Sequence, residues 1–324
     1  MLYPFIFHPI FKERIWGGRN LERLYHKQLP PGIPIGESWE ISDRPSDESV
    51  IANGPLAGKS LRWLMENHRE ELLGSAKSTS TGRFPLLIKI LDAQEKLSLQ
   101  VHPPASKAKE LGGESKTELW YVAEATPDAD LFVGLKRGIT RTEFEKRVQD
   151  GSVAECFHHI RVKKGDTMFL PSGRVHALGA GNVIFEIQEN SDTTYRVFDW
   201  NRVDSKGKPR DLHMEKSMAS IDFQDVEPAL VPGKIVEQNG IKIRELIYDP
   251  LFSVDLCKIS VGKDFVLPPS TMQIIALLEG ELVLKESANP LALASGEFCL
   301  VPAGCKTVSI CASAPTSFLK ITAG

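Results

Sequence analysis

The sequence predicts a mainly β protein built from two small antiparallel barrels, with a few short helices inserted in the first part. Three observations support this fold class. Apolar residues alternate with polar ones at a period of two, as Leu97, Leu99 and Val101 do with their neighbours, and this alternation is typical of half-buried strands. Glycines and prolines separate such runs. One motif also occurs in both parts of the chain, which indicates an internal repeat.

The elements of the first part can be justified in order. The first forty residues are rich in turns, because W-G-G and P-G-I-P-I-G occur there. A helix is expected from Ser60, its N-cap, to Gly74, because apolar residues recur at helical spacing between them. Residues 84–91 then form a buried strand. A second helix is expected from Thr140 to Gly151, opened by the capping box T-R-T-E.

A domain boundary is expected between Asp222 and Gly240, where the sequence has little periodicity and two prolines. Short strands separated by turn signals follow, a pattern that suggests a further small barrel. We therefore divide the chain into a larger domain with helical insertions, residues 1–235, and a smaller one, residues 236–324.

Composition excludes several classes of function. The chain has 324 residues, with 42% hydrophobic and 25% charged residues, as in soluble globular proteins. Its net charge of -3 provides no general attraction to nucleic acid or anionic membranes. No apolar run approaches the roughly 18 residues that span a bilayer, and the first residues do not resemble a signal peptide. Five cysteines without a C-x-x-C pair indicate reduced thiols and a cytoplasmic protein.

A candidate metal site begins in the alternating run. Gln100 and His102 point to the same side of their strand, and Glu118 precedes the next apolar run. An imidazole, a carboxylate and an amide oxygen are groups that a divalent metal accepts. A single histidine near a strand end is more often a hydrogen-bonded structural residue, so a further ligand is needed.

The internal repeat supplies that ligand. G-D-T-M-F-L-P-S-G-R-V-H aligns with the later run G-E-F-C-L-V-P-A-G-C-K-T, which sets His176 opposite Thr307. Upstream, E-L-W-Y-V-A-E-A can be laid on Q-I-I-A-L-L-E-G, which sets Glu118 opposite Gln273. The shared pattern of strand, G-[D/E], strand and P-x-G resembles the cupin superfamily of small antiparallel barrels. The first copy keeps metal-ligating residues at these positions and the second does not. We therefore expect one metal site, in the N-terminal domain.

The expected ligand set combines nitrogen and oxygen donors. Zinc suits such a set, with iron, manganese or cobalt as competitors. Three or four protein ligands leave an open position, which is typical of a catalytic or substrate-binding metal. Such an ion acts as a Lewis acid and can hold two adjacent oxygens of a substrate.

Two cations are candidates for the same site. Arg196 lies in a run of alternating polar and aromatic residues, and an arginine that faces a barrel interior is costly unless it meets an anion. A substrate phosphate or a developing enediolate would provide one. The alternative is a structural salt bridge with Asp192, Asp199 or a glutamate. Lys116, two residues before Glu118, shares the strand face of that residue, although a solvated loop position is the usual place for a lysine.

Several motifs together resemble one enzyme family. They are F-K-E-R-I-W-G-G, G-E-S-W-E-I-S, Q-V-H-P, K-T-E-L-W-Y, F-L-P-S-G-R-V-H-A-L and E-I-Q-E-N-S-D-T-T-Y-R-V-F-D-W. In this order they are similar to the type I phosphomannose isomerases in their short bacterial form, over essentially the whole chain.

This resemblance implies one zinc per chain, a catalytic arginine and a site lysine. It assigns the zinc to His102, Glu118 and His176, with Gln100 as an added ligand in many relatives. It assigns the arginine to Arg196 and the lysine to Lys116. Pro104 departs from the family, which usually has an acidic residue there, and this puts the shape of the following loop in doubt.

The implied reaction interconverts mannose 6-phosphate and fructose 6-phosphate through a cis-enediol. A base must lie within about 3 Å of the moving proton, and the sequence leaves open a water on the metal, a carboxylate or His213. An iron-dependent cupin oxygenase and a sugar-phosphate-binding regulator without catalysis are the alternatives. The expected partner is a hexose 6-phosphate, with no nucleic acid and no membrane, and the protein is expected to be a monomer or a homodimer.

Overall fold

Short antiparallel strands dominate the chain. The computed structural model describes residues 2–203, 207–238, 241–268, 270–286 and 290–324. The strands of the first part are β1 (Phe7–His8), β2 (Ile10–Gly18), β3 (Ile35–Ile41), β4 (Asp43–Arg44), β5 (Asp47–Glu48), β6 (Val50–Ile51), β7 (Leu86–Ala93), β8 (Leu99–Val101), β9 (Glu118–Ala125), β10 (Asp130–Leu135), β11 (Phe157–Arg161), β12 (Thr167–Leu170), β13 (His176–Leu178), β14 (Asn182–Glu189) and β15 (Tyr195–Phe198).

The second part continues with strands and short turns. Its strands are β16 (Lys234–Gln238), β17 (Ile241–Tyr248), β18 (Phe252–Ile259), β19 (Asp264–Val266), β20 (Gln273–Glu279), β21 (Glu281–Lys285), β22 (Leu291–Ala294), β23 (Phe298–Val301), β24 (Ser309–Ala312) and β25 (Thr316–Ala323).

Short helices are inserted in the first part. They are α1 (Asn20–Tyr25), α2 (Leu61–Asn67), α3 (Arg69–Leu73), α4 (Ala105–Ala108), α5 (Arg141–Gln149) and α6 (Met214–Ser220), with a 3₁₀ turn at Val153–Cys156. In the part of the chain that the structure describes, no helix is long and apolar enough to cross a membrane.

Local sequence explains where these helices begin. The Ser60 hydroxyl accepts a hydrogen bond from Trp63 N, and the Thr140 hydroxyl accepts one from Glu143 N, so both predicted N-caps are confirmed. The helix expected from Ser60 to Gly74 is divided, because His68 leaves helical geometry at φ -140° and separates α2 from α3.

The first barrel consists of two facing antiparallel sheets. One has the order β11-β10-β13-β8-β15 and the other the order β12-β9-β14-β7-β3-β2. Apolar side chains such as Leu131, Val133 and Ile184 fill part of the space between them. The outer face of the first sheet, with Leu99 and Val101, packs against Phe144 of α5 and other apolar groups. The polar side chains of the barrel interior are thereby held between two packed layers.

The second barrel repeats this architecture with a different interior. Its sheets have the orders β16-β17-β18-β25-β20-β23 and β19-β24-β21-β22. Side chains such as Ile275, Leu277 and Phe318 fill it with apolar groups. The mainly β fold with two cupin-type barrels is therefore the one that the sequence predicts.

The barrels meet through their larger sheets. The outer faces of these sheets share one continuous buried cluster, in which the rings of Phe185 and Phe298 lie 5.2 Å apart and those of Phe169 and Phe252 6.4 Å apart. β16 begins at Lys234, close to the boundary expected near residue 235. Residues 239 and 240, at the end of the expected boundary segment, lie outside the described residues, and the division into 1–235 and 236–324 stays a prediction.

Candidate active site

Three of the predicted site residues lie side by side on one sheet of the first barrel. β8 lies between β13 and β15, and its Gln100 is the register partner of both His176 and Arg196. Residues that are directly paired across antiparallel strands point to the same face. This row therefore brings a histidine, an amide and a guanidinium to the barrel interior, from positions up to 96 residues apart in the sequence.

The carboxylate comes from the facing sheet. Glu118 is the first residue of β9, where it pairs with Leu170 of β12 and Gln188 of β14. His102 lies directly after the end of β8. All three ionisable residues, His102, Glu118 and His176, are buried, with at most 1% of each residue exposed. The two sheets thus converge on one small group in the barrel interior.

The donor atoms of this group converge closely. Nε2 of His176 lies 3.0 Å from Oε1 of Glu118, and Nε2 of His102 lies 3.6 Å from the same oxygen. All three ligand atoms lie within 4.8 Å of one another. A metal bound at about 2.0–2.2 Å to each ligand holds its ligand atoms roughly 3–4 Å apart, as the two nitrogen–oxygen distances are. The geometry suits a divalent cation.

Hydrogen bonds fix the orientation of both imidazoles. Nδ1 of His102 lies 2.7 Å from the carbonyl oxygen of Thr193, and Nδ1 of His176 lies 3.0 Å from that of Arg174. Because a carbonyl only accepts, each Nδ1 donates its proton there, and in the neutral ring this leaves the lone pair on Nε2. Outer hydrogen bonds of this kind orient metal-ligating histidines.

An unmet need for positive charge supports the same conclusion. Two Nε2 lone pairs and Oε1 of Glu118 face one another, and within the described ranges Oε1 receives no hydrogen bond of good geometry. Within the described residues, the contacts that reach the two nitrogens from donors are long, 3.3 Å from the Gln100 amide to His176 and 3.4 Å from Lys116 to His102. Acceptors that face one another this closely repel unless a cation or a proton lies between them. The residues present therefore fit a metal ion on the chemistry of their donor set.

Gln100 borders the group. Its Nε2 lies 3.3 Å from Nε2 of His176. The oxygen and nitrogen of an amide are assigned from their hydrogen bonds, so a rotation of this amide presents Oε1 to the ligand group instead. The rings of Trp120 and His176 are perpendicular, with centroids 5.3 Å apart. These contacts hold the His176 imidazole in place.

Lys116 sets the electrostatics of the group. Its Nζ lies 2.6 Å from Oε2 of Glu118 and 3.4 Å from Nε2 of His102. Burial opposes charge on both partners, but their mutual attraction raises the pKa of Lys116 and lowers that of Glu118 well below its usual range. Burial, followed by the charge of Lys116, lowers the pKa of His102 to about 3. The lysine is therefore charged and the imidazole neutral at pH 7, as a metal ligand must be.

A cavity of about 510 Å³ opens beside this group, and we call it the barrel cavity. Gln100 and Lys116 line it and contact the buried histidines. The residues around it are Glu13, Arg14, Ile15, Trp16, Glu37, Lys89, Leu91, Leu97, Ser98, Gln100, Lys116, Glu186, Asp192, Thr194, Arg196 and Arg210. Its volume and polar lining suit a small, charged molecule.

Arg196 lines the cavity and has an unusual set of partners. It is half-buried, its Nη1 donates to the carbonyl oxygen of Asp211 at 2.8 Å, and its Nε is buried without a hydrogen-bond partner. Among the described residues, the salt bridges do not include Arg196, whereas Asp199 pairs with Arg202 and Arg210. The structural salt bridge considered as an alternative for Arg196 is thus absent from this part of the chain.

His213 supports Arg196 from behind. Its Nδ1 accepts a hydrogen bond from the backbone N of Arg196 at 3.1 Å, and its own backbone N donates to the carbonyl of Arg196. It is not among the residues around the barrel cavity. Pro104 lies before α4 with extended backbone, at φ -65° and ψ 151°.

A charged network inside the barrel was missed by sequence reasoning. Lys89 of β7 lies 3.2 Å from Glu186 of β14 and 3.8 Å from Glu37 of β3, and all three residues are buried. Trp120 donates to Glu186 at 2.9 Å. The available signal was one charged residue inside each of two apolar runs, L-L-I-K-I-L and V-I-F-E-I.

The repeat positions of the second barrel carry no comparable group. Gln273 is buried, and its Nε2 donates to the carbonyl oxygen of Pro268, while Thr307 is exposed. Among the residues that the structure describes, His102, Glu118 and His176 form the one cluster of histidine, cysteine and acidic residues that could hold a metal. This agrees with a single metal site in the first barrel.

Comparisons with known proteins agree with this picture. Residues 5–136 match the family of the catalytic domain of type I phosphomannose isomerase. The chain is 38% identical over 262 residues to the probable mannose-6-phosphate isomerase GmuF of Bacillus subtilis, covering 80% of this chain and 81% of that protein. It is 36% identical over 306 residues to ManA of the same species, covering 93% of each.

A solved structure extends the likeness to the whole fold. The mannose 6-phosphate isomerase of Bacillus subtilis superposes with a TM-score of 0.88 at 33% identity, covering 99% of each chain. The fold and the buried cluster define a two-barrel cupin protein with a candidate metal centre in its first barrel. The chain belongs to the type I phosphomannose isomerase family, in its short bacterial form.

Proposed function

We propose that this chain is a metal-dependent mannose-6-phosphate isomerase that interconverts mannose 6-phosphate and fructose 6-phosphate through a cis-enediol. The observation that carries the proposal is the buried group of His102, Glu118 and His176 beside a polar cavity. Membership of the isomerase family gives the reaction class. The buried group and its cavity give a place where the reaction can occur.

The metal we propose is zinc, one per chain. Nε2 of His102, Nε2 of His176 and a carboxylate oxygen of Glu118 would hold it, with the Gln100 amide oxygen as a fourth ligand after rotation of its side chain. A bound zinc supplies Lewis acidity toward the oxygens of a carbonyl substrate. A nitrogen and oxygen donor set with neutral imidazoles favours this ion, with iron, manganese and cobalt as competitors.

Lys116 and Arg196 are the catalytic residues of the proposal. Lys116 is charged, buried and lines the cavity next to Glu118, so it can stabilise negative charge on a substrate oxygen without reorganisation. Arg196 projects beside Gln100 with an unpartnered Nε. Its guanidinium offsets charge on the enediolate, a role that requires a donor in place before the charge develops.

The proton that moves between the first and second carbons needs a base within about 3 Å. We place that base among the carboxylates that line the cavity, Glu13, Glu37, Glu186 and Asp192. His213 lies outside this lining and uses Nδ1 to accept a backbone hydrogen bond. A cavity carboxylate is therefore the better candidate.

A coupled assay on mannose 6-phosphate and glucose 6-phosphate, with metal content measured on the same sample, tests the proposal. We expect turnover of mannose 6-phosphate but not of glucose 6-phosphate. Exhaustive chelation should abolish this turnover, and added zinc should restore it. Activity that survives complete demetallation would refute the metal dependence. Oxygen consumption with an organic substrate would instead indicate an oxygenase.

A further measurement separates catalysis from binding alone. Isomerisation requires that the hydrogen on the second carbon of mannose 6-phosphate leaves, so NMR should detect its exchange with solvent deuterium. Binding without exchange would indicate a regulator.

We also propose that the protein acts in the cytoplasm as a monomer or homodimer; its five cysteines, which are all free thiols, are consistent with a reducing compartment.

A further inference from the structure

We propose that Arg210, with Arg196 as its neighbour, binds the phosphate group of the substrate in the barrel cavity and so determines the preference for phosphorylated sugars. Both guanidiniums line this cavity. This inference deepens the proposed function and rests on it, because it takes the substrate to be a hexose 6-phosphate. Arg210 is not part of the ligand group or of the motifs by which the sequence is recognised.

The position of Arg210 is fixed by a carboxylate. Its Nε donates to Oδ2 of Asp199 at 2.7 Å, and its Nη2 donates to Oδ1 at 2.5 Å. Arg202 donates to the same Oδ1 at 2.5 Å. Asp199 is buried and accepts hydrogen bonds from two nitrogens of the Arg210 guanidinium. The arginine is therefore oriented before a ligand arrives. Such preorganisation reduces the entropy cost of binding.

The charges in this part of the cavity do not balance. Asp199 is shared by the guanidiniums of Arg202 and Arg210. In the described ranges, the other carboxylate near Arg202, Glu95 at 3.8 Å, is exposed, so water screens its charge and Asp199 is the one buried carboxylate that these two arginines share. Arg196 adds a further positive charge, because within the described part of the chain it has no acidic partner, and its buried Nε has no acceptor. Burial and the nearby charge of Arg210 both lower the pKa of Arg196. Two unneutralised guanidiniums near each other are costly unless an anion lies between them.

Elsewhere in the cavity the cations are already paired. Arg14 and Lys89 pair with Glu37, Lys89 also pairs with Glu186, and Lys116 pairs with Glu118. The remaining acidic groups of the lining are Glu13 and Asp192, which are exposed, and water screens exposed charges. The excess positive charge is therefore concentrated at Arg196 and Arg210.

This arrangement fits a phosphate better than other anions. A phosphate carries close to two negative charges at pH 7, and arginine forks match its oxygens in geometry. Arg196 is the register partner of Gln100, next to the ligand group, and it lines the same cavity as Arg210.

The test compares Arg210→Gln and Arg210→Lys with the unchanged enzyme and with Arg137→Gln as a matched control. Arg137 is an exposed arginine paired with Glu227, and it is not among the residues that line the cavity. For Arg210→Gln we expect KM for mannose 6-phosphate to rise on the order of tenfold to a hundredfold, as for loss of a charged hydrogen bond. kcat should change little. Arg210→Lys should lie between the two.

A binding measurement keeps the outcome decisive. Inorganic phosphate should bind the unchanged protein, and ³¹P NMR measures this binding. Arg210→Gln should weaken the affinity for phosphate by the same factor by which it raises KM. The metal content and the melting temperature of the variant should be unaltered. An unchanged KM and phosphate affinity in Arg210→Gln would overturn the proposal. So would a fall in kcat with KM constant. If the unchanged protein binds phosphate but does not turn over mannose 6-phosphate, the proposed function fails, while the titration still decides the role of Arg210.

Discussion

Replacing Glu37 by glutamine should remove about 3 kcal/mol of stability at pH 7. Glu37 is buried, accepts hydrogen bonds from Trp39 at 2.6 Å and Arg14 at 2.7 Å, and lies 3.8 Å from Lys89. Burial alone would raise its pKa, but Lys89 and Arg14 lower it from the ordinary 4.5 to about 2. Since one pKa unit corresponds to about 1.36 kcal/mol, this difference is worth about 3 kcal/mol.

The sign of the pH dependence follows from the depressed pKa. The unfolded chain binds the proton more tightly than the folded protein, so the contribution of Glu37 is complete above about pH 5 and is lost as the pH falls toward 2. At pH 3 the difference between the unchanged protein and Glu37→Gln should therefore fall to roughly half its value at pH 7. Glutamine retains an acceptor for Trp39, so the loss reports mainly the charge.

Denaturant unfolding of the chelated proteins at pH 7 and pH 3 measures this difference. Glu13→Gln is the matched control, because Glu13 is an exposed glutamate on β2 and its replacement should change stability by less than about 0.5 kcal/mol. A loss below 1 kcal/mol at pH 7, or an equal loss at both pH values, would refute the electrostatic account of the Glu37 network.

Further predictions concern catalysis and a helix cap. Arg196→Ala should lower kcat on the order of a hundredfold, because a preorganised charge stabiliser is lost; a near-normal rate in the coupled assay would exclude that role. Thr140→Ala should lower the free energy of unfolding by about 1 kcal/mol, because α5 loses the acceptor for Glu143 N. Arg141→Ala at an exposed position of the same helix is its control, and equal losses in the two variants would count against the cap.

Much of the site could be predicted from the sequence because the repeat made an internal comparison possible. His102, Glu118 and His176 come from separate strands, yet the second copy of the motif carries Gln273 and Thr307 where the first carries ligands. The resulting group is the one in which the described ligand atoms converge. The identity of the metal and the roles of Arg196 and Lys116 are proposals, because interatomic distances alone decide neither the ion nor the function of a side chain.

The charged network and Arg210 could not be predicted in the same way. Lys89, Glu186 and Glu37 meet only because β7 pairs with both β14 and β3, and strand order is not encoded within any one strand. The division of the helix at His68 was likewise not predicted, because the apolar stripe continues across the point where the backbone leaves helical geometry. Local patterns thus located elements and caps, whereas pairing between distant strands decided which charges meet.

The buried cluster that the two barrels share makes the stability of the first barrel depend on the second. The sheet that carries Glu118, Glu186 and Lys89 on one side buries Leu119 and Phe185 against the second barrel on the other. Without that barrel, this sheet would present a broad apolar surface to water, a state that favours aggregation. The second barrel therefore covers the apolar side of the sheet whose other side carries Glu118, and we expect the first barrel alone to be unstable.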